Sequence, residues 1–155
     1  MGDEPIYENH LQTAETGKVM SKIKRAVSDK VNEPPPGLWS NCLVVEGIAY
    51  VSGMTARSRT DFDVIDGARE YEQANAIFSK IRDLLRAAGG DLSDIVKLTI
   101  YVTDILQRKE VWRARQEVFA GNFPASTLVQ VAALAEPSMK VEIDAIAHIG
   151  ASKAS

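Results

Sequence analysis

Lys140-Val141-Glu142-Ile143-Asp144-Ala145-Ile146-Ala147, near the carboxyl end of the chain, has an apolar residue at every second position. Successive side chains of a β-strand point to opposite faces, so this alternation predicts a half-buried strand. Its odd-numbered face is wholly apolar and is predicted to pack against helices: Val141, Ile143, Ala145 and Ala147. The even-numbered face carries Glu142 and Asp144. These carboxylates must be paired, hydrogen-bonded or beside a cleft, because an isolated buried charge is too costly.

Two predicted helices, with a central strand between them, precede this stretch. Apolar residues recur at three- and four-residue spacing after Asp66, which is predicted to cap the first helix, and Gly89-Gly90 supplies a left-handed stop. The segment Asp94–Asp104 (DIVKLTIYVTD) then places apolar, β-branched and aromatic residues on both faces, which is typical of a central strand. Asp104 is predicted to cap a second helix that extends to about Ala120.

The remaining strands complete an α+β fold. We expect a short edge strand within 22–27, two strands around a Glu46-Gly47 turn in 43–52, and two final strands at 127–134 and 139–149. Apart from the edge strand, the order is β-β-α-β-α-β-β, which predicts one mixed sheet with both helices packed on the same face.

The second face of this sheet is predicted to lack a cover. Leu128, Ala132 and Ile146 would point into solvent there, beside Glu142 and Asp144. Burial against further copies of the chain is the simplest remedy, so we expect a homo-oligomer. Periodicity leaves two interpretations of the carboxylates open: an intersubunit salt bridge, or a general acid or base in an interface pocket.

Composition excludes several classes of protein. The chain has 155 residues, 45% of them hydrophobic and 25% charged, which fits one soluble domain; we assign it to 19–150, with a flexible N-terminal tail at 1–18 and a C-terminal tail at 151–155. One cysteine and two histidines, none in a ligand-spaced cluster, argue against a structural metal, a metal cofactor or a disulfide framework.

Net charge and hydropathy limit the binding partners and the cellular compartment that we expect for the protein. The formal net charge is −3, and an acidic chain argues against nucleic-acid binding. No stretch reaches the roughly 18–20 uninterrupted apolar residues of a membrane-spanning helix, and the N-terminus lacks an apolar signal region. We therefore expect a cytoplasmic protein with no membrane partner. The lone Cys42 opens an apolar run and is interpreted as a buried hydrophobic residue.

Several motifs, in order and at matching spacing between about 26 and 149, resemble the reactive intermediate deaminase (Rid or YjgF) family. They are Gly37-Leu38-Trp39-Ser40, Tyr50-Val51-Ser52-Gly53, Ala87–Leu92, Asp94–Lys97, Phe123-Pro124-Ala125, Val129–Leu134 and Val141–Ala147. The resemblance implies a chorismate-mutase-like fold, a homotrimer, and active sites in clefts between subunits. It also implies cofactor-free hydrolysis of small enamines or imines, formed from amino acids, to 2-keto acids and ammonium.

Site residues follow from the same resemblance. Glu142 matches the glutamate that positions the attacking water, Ser52 and Gly53 match a Ser-Gly pair that lines the pocket, and Trp39 stands where tyrosine is usual. Ser126 stands where the family has an arginine that grips the substrate carboxylate. Ser52, Ser126 and Thr127 are then expected to donate hydrogen bonds to the substrate.

The missing arginine leaves two explanations open. Either Arg57 or Arg59, on the loop after the Ser-Gly pair, supplies the cation, or the substrate is not an α-carboxylate. A neutral serine hydroxyl cannot replace a bidentate guanidinium–carboxylate pair. The resemblance therefore predicts a deaminase-like hydrolase that acts on a small imine, enamine or related compound in an intersubunit cleft, with Glu142 activating water. The alternative is a non-catalytic trimer that binds a small metabolite in the same cleft.

Overall fold

The structure is a computed structural model that describes residues 22–153. The predicted tail at 1–18 and the last two residues of the predicted C-terminal tail lie outside this range. The described elements are β1 (Ile23–Arg25), β2 (Cys42–Val45), β3 (Ile48–Thr55), α1 (Glu70–Ala87), β4 (Ile95–Val102), α2 (Arg108–Phe119), β5 (Ala125–Gln130) and β6 (Val141–His148). Short 3-10 turns at Leu92–Asp94 and Ile105–Gln107 precede β4 and α2.

The strands form one mixed sheet in the order β1-β2-β3-β6-β4-β5. All neighbouring strands are antiparallel except β4 and β5, which are parallel. The predicted α+β class with two helices is confirmed. Helix α1 packs against β3, β6 and α2, and the Phe78 and Phe119 rings join the two helices edge to face at 5.7 Å.

Strand β6 alternates as predicted. The odd-numbered residues are buried in the single core that the sheet shares with both helices: Val141, Ile143, Ala145 and Ala147. Glu142, Asp144 and Ile146 are only half-buried, on what we call the open face of the sheet. The strand therefore separates a dry apolar layer from a face on which carboxylates reach solvent.

The first helix begins later than predicted. Asp66 does not cap it, because its N–H donates to the Ala56 carbonyl and Gly67 follows at φ +89°, outside the helical region. Instead Arg69 is the N-cap residue, and the Glu72 carboxylate accepts from its N–H. The predicted stop is confirmed: Gly89 lies at φ +90° directly after the helix.

Asp104 caps a different element from the one predicted. Its carboxylate accepts from the N–H of Leu106, at 2.9 Å, and so begins the 3-10 turn rather than α2. Helix α2 then ends at Phe119, followed by Ala120 in the left-handed region at φ 48°. The predicted segment is helical, but its first turn is the tighter 3-10 form.

The structure confirms the predicted hairpin and corrects two predictions about the edge strand β5. The hairpin around Glu46-Gly47 is confirmed as β2 and β3. Strand β5 ends at Gln130 rather than Leu134, because its partner β4 ends at Val102. Leu128 pairs with Ile100 and packs on the core, so the prediction that it points to the uncovered face is wrong.

Candidate functional site

Glu142 lies at the centre of the open face. Strand β6 runs between β3 and β4, and Glu142 pairs across them with Thr55 and Tyr101. The carboxyl group is half-buried, and this burial, together with the negative charge of Asp144, raises its pKa above the usual range. A carboxylate with a raised pKa holds a proton more readily, which suits a general base that must later return the proton.

Tyr101 and Asp144 join Glu142 in one acidic cluster. The Tyr101 hydroxyl donates to Asp144 Oδ2 at 3.1 Å, and this bond, with some burial, raises the pKa of the phenol. The alternation in 140–147 predicts Asp144 on this face, whereas the apolar pattern of the central strand predicts no role for Tyr101 beyond that of an apolar residue. The alternation of Tyr101 with buried Ile100 and Val102 was the available signal.

Gly53 supplies the space that the Glu142 side chain occupies. The register of β3 against β6 shifts between Val51 and Met54, so Ser52 and Gly53 together oppose Asp144. A Cβ built on Gly53 would stand 2.9 Å from Glu142 Cδ and closer still to its Oε1. Any side chain at Gly53 would therefore displace the carboxylate.

Ser52 and Trp39 are tied to the same short segment, Ser40-Asn41. The Ser52 hydroxyl donates to the Ser40 carbonyl at 2.6 Å, and its N–H donates to the Asn41 carbonyl at 2.9 Å. The Trp39 indole N–H donates to Asn41 Oδ1 at 3.3 Å, while 49% of Trp39 is exposed. The segment thus presents an aromatic side chain to solvent next to the Ser-Gly pair.

The structure separates Ser126 from Glu142. Ser126 pairs with Leu98, whose side chain is buried in the core, so Ser126 projects from the helix side of the sheet edge. Thr127 pairs with Thr99 on the open face and accepts a 2.6 Å hydrogen bond from Lys97. Within one protomer, Ser126 and Glu142 lie on opposite faces with β4 between their strands.

Both candidate replacement cations are already engaged. Arg59 is bound to α1, with Nη1 2.6 Å from Asp83 and Nη2 3.0 Å from Ser79. Arg57 donates to the Phe62 carbonyl, pairs with Glu136 at 3.2 Å, and stacks over the Phe62 ring at 4.3 Å. Only 17% of the Arg57 side chain is exposed. The structure therefore does not bring a free guanidinium from this loop to Glu142.

Cys42 lies in the core of the protein rather than on the open face. The Cys42 thiol is fully buried, which raises its pKa to about 11, so the predicted buried hydrophobic residue is confirmed. Among residues 22–153, no group of side chains has the composition of a metal site, and no helix is long and apolar enough to cross a membrane. The polar side chains near Glu142 on the open face include those of Asp144, Tyr101 and Ser52.

Sequence comparisons match nearly the whole described chain. The family model described as Endoribonuclease L-PSP matches residues 30–149. The human 2-iminobutanoate/2-iminopropanoate deaminase is 31% identical over 130 residues, which cover 84% of this chain and 93% of the human protein. The rat protein of the same description is 33% identical over 132 residues, with 84% and 95% covered.

Solved structures show the same fold. A Pseudomonas aeruginosa protein of unknown function is 39% identical, with a TM-score of 0.73, and the match covers 84% of this chain and 95% of that one. A Yersinia pestis protein of the conserved Rid family is 27% identical, with a TM-score of 0.75 and 82% and 99% covered.

Proposed function

Because this chain belongs to the Rid/YjgF family, we propose that it is a cofactor-free hydrolytic deaminase of small imines or enamines. The curated relatives are deaminases of 2-iminobutanoate and 2-iminopropanoate. The observation that carries the proposal is the Glu142 carboxylate, which is half-buried on the open face with a raised pKa and seated over Gly53.

The proposed reaction needs one group that accepts and returns a proton. A water oxygen attacks the C=N carbon while Glu142 takes one water proton and passes it to the nitrogen, which forms a neutral tetrahedral carbinolamine. Glu142 then takes the hydroxyl proton as C=O forms and gives that proton to the nitrogen as the C–N bond breaks, so that ammonia leaves. Imine and water thus become ketone and ammonia, with no oxidant or metal in the balance.

The neighbours of Glu142 have supporting roles in this scheme. Asp144 keeps the pKa of Glu142 high, and Tyr101 holds Asp144 in place through its hydroxyl. Ser52 donates its own proton to the Ser40 carbonyl, so its hydroxyl oxygen is left to accept a hydrogen bond from the substrate N–H. Trp39 forms an aromatic wall beside it.

We also propose that the site is completed by a second protomer. Ser126 and Glu142 lie on opposite faces of one sheet, so they can contact one substrate only if two copies contribute. Partly exposed apolar residues on the open face, Ile48, Tyr50 and Ile146, support its burial against other copies. A homotrimer is the assembly that we propose, and the cytoplasm its compartment.

Ribonuclease activity, which the description of the family model names, is not proposed. Binding of a phosphodiester backbone requires clustered cations, whereas Glu142 and Asp144 make the centre of the open face acidic. The formal net charge of −3 points the same way.

A non-catalytic metabolite-binding trimer remains the second candidate, favoured by the serine at position 126. Ammonium release distinguishes the two functions. The purified protein should release ammonium from 2-iminobutanoate and from 2-aminoacrylate, each generated in situ, and Glu142→Gln should abolish the release without loss of fold. Absence of ammonium from every imine tested would favour the binding protein.

A matched variant tests position 126 separately. Ser126→Arg should increase the hydrolysis of 2-imino acids, because a guanidinium adds charge-assisted hydrogen bonds to the substrate carboxylate. Unchanged activity in a folded Ser126→Arg variant would show that an arginine at position 126 does not add to the binding of the substrate carboxylate.

A further inference from the structure

The open face carries an arginine that the sequence analysis overlooked. We propose that Arg25, on β1, binds the carboxylate of a 2-imino acid substrate and so replaces the arginine missing at Ser126. This inference rests on the proposed function, and it names the substrate class: imines that keep the α-carboxylate.

The strand register places Arg25 on the same face as Glu142. Arg25 pairs with Leu43, Leu43 with Tyr50, and Tyr50 with Ile146. Paired residues of adjacent strands share a face, and Ile146 shares its face with Glu142 along β6. Arg25 therefore projects from the side of the sheet on which the carboxylate cluster lies.

An ion pair and several hydrogen bonds link Arg25 to the segment that carries Trp39. Its Nη2 lies 2.5 Å from Glu33 Oε2 and makes a long 3.5 Å contact with the Trp39 carbonyl. The other oxygen of Glu33 accepts from Asn41 Nδ2 at 3.2 Å. Asn41 is 4% exposed, and it also accepts from the Trp39 indole and from the Ser52 N–H. Buried Asn41 thus fixes the positions of the cation, the aromatic wall and the Ser-Gly pair relative to one another.

Two nitrogens of the Arg25 guanidinium have N–H groups that are available to a ligand. Both contacts above use Nη2, and within residues 22–153 its Nε and Nη1 donate to no other group. Its side chain is 45% exposed, against 17% for Arg57, whose guanidinium is enclosed by Phe62 and Glu136. Lys97 also lies on the open face, but its ammonium donates to Thr127. Arg25 is therefore the best available partner for an incoming carboxylate.

A variant of Glu33 distinguishes a substrate-binding role of Arg25 from a purely structural role. If Arg25 only holds Glu33 in place, loss of either partner should weaken the pocket equally. If Arg25 binds the substrate carboxylate, Glu33 competes with that ligand, and Glu33→Gln should keep the Asn41 hydrogen bond while removing the competing charge. The two variants then move affinity in opposite directions.

The experiment measures binding of 2-oxobutanoate, the keto acid that 2-iminobutanoate yields on hydrolysis. The chain has two tryptophans, so Trp112→Phe leaves Trp39 as the single fluorescent reporter beside Arg25. Titrations follow Trp39 emission in this background for the parent, Arg25→Gln, Arg25→Lys, Glu33→Gln and Arg57→Gln. Arg86→Gln is the matched control, because Arg86 is an exposed, ion-paired arginine on α1.

We expect Arg25→Gln to weaken 2-oxobutanoate binding about 10- to 100-fold, which corresponds to one or two lost charge-assisted hydrogen bonds. Arg25→Lys should be intermediate, Glu33→Gln should bind more tightly, and Arg57→Gln and Arg86→Gln should leave affinity unchanged. The proposal is overturned if the parent does not bind 2-oxobutanoate, if Arg25→Gln retains its affinity, if Arg25→Gln and Glu33→Gln lose affinity equally, or if Arg57→Gln alone loses it.

The outcome is separable from the proposed function. Glu142→Gln should lose ammonium release yet still bind 2-oxobutanoate, since Arg25 does not depend on the water-activating carboxylate. A protein that binds 2-oxobutanoate through Arg25 but hydrolyses no imine would refute the deaminase and keep the carboxylate site. If Arg25→Gln releases ammonium as well as the parent does, the deaminase is kept and the carboxylate site at Arg25 is refuted.

Discussion

The Glu142 carboxylate lies directly against the backbone of Gly53, so that a Cβ at position 53 would stand 2.9 Å from Glu142 Cδ. Gly53→Ala must therefore move the carboxylate away from the β3 bulge. We expect ammonium release to fall at least about tenfold, since a misplaced catalytic group loses much of its effect. The free energy of unfolding should fall by only about 0.5–1 kcal/mol, because the displaced atoms belong to the end of a flexible, half-buried side chain. Steady-state kinetics and urea denaturation provide the two measurements.

Glu142→Ala supplies the control for this steric contact. With the Glu142 carboxylate absent, Gly53→Ala has nothing to displace and should be close to neutral for stability. The double-mutant cycle should thus show a coupling energy of about 0.5–1 kcal/mol. Additive effects of the two substitutions would mean that the alanine acts elsewhere in the bulge.

Asp144 provides a test of the raised pKa of Glu142. Burial is the main cause of that rise and the charge of Asp144 is the second. Activity requires ionised Glu142 and is lost as the pH falls through its pKa. Asp144→Asn removes the second cause, so the acid limb of the pH profile of kcat/KM should move to lower pH.

The acid limb of Asp144→Asn is compared with that of Asp29→Asn, an exposed surface control. A limb that stays in place in both variants would show that another group titrates in the profile. A shift to higher pH in Asp144→Asn would contradict the sign of the interaction.

Much of this site could be predicted from the sequence, because the two faces of a strand are set by consecutive residues. The eight residues 140–147 assigned Val141 and Ile143 to the core and Glu142 to the opposite face, and the structure agrees. Gly89-Gly90 likewise predicted where α1 ends, since a left-handed stop involves only adjacent residues. These features depend on a few consecutive residues.

Other features required contacts between distant parts of the chain. The Arg25–Glu33–Asn41 network spans three segments, and its hydrogen bonds depend on how a proline-rich connection passes beside the sheet. Arg59 looked available because its partner Asp83 is 24 residues away on a helix. The face of Leu128 depended on the register between β5 and β4, which no local pattern specifies.

Lys80 should make stability depend on pH in the alkaline range. It is 5% exposed, and its Nζ donates to the carbonyls of Thr55, at 3.0 Å, and Arg57. Burial, with the nearby charge of Arg59, lowers the pKa of Lys80 to about 8 from the usual 10.5. The folded state thus favours the neutral amine, so its stabilising contribution is complete above 10.5 and is lost as the pH falls through 8.

Lys80→Met removes this titration and keeps a similar volume. Compared with Lys80→Met, the parent should gain free energy of unfolding between pH 8 and pH 10.5, measured by urea denaturation at several pH values. The comparison cancels the general effect of alkaline pH on both proteins. A difference that is constant across the range would show that Lys80 does not titrate on folding.

Asp94 joins the start of β4 to the residues that follow β6. Its carboxylate accepts from the N–H groups of Gly150 and Ser152 at 2.9 Å and of Asp91 at 3.2 Å. Burial alone would raise the pKa of Asp94, but these hydrogen bonds, together with one from the Ser152 side chain, outweigh it and lower the pKa to about 2.

Asp94→Asn should therefore lower the free energy of unfolding by about 2 kcal/mol at pH 7. The contribution of a carboxylate with a lowered pKa is complete above its unfolded value near 4 and disappears as the pH falls towards 2. The difference between the parent and Asp94→Asn in urea denaturation should narrow over that interval, while Asp29→Asn, without such hydrogen bonds, should match the parent throughout. A full difference that persists at pH 2 would assign the loss to the changed shape of the side chain, because a protonated Asp94 no longer accepts these bonds as an anion.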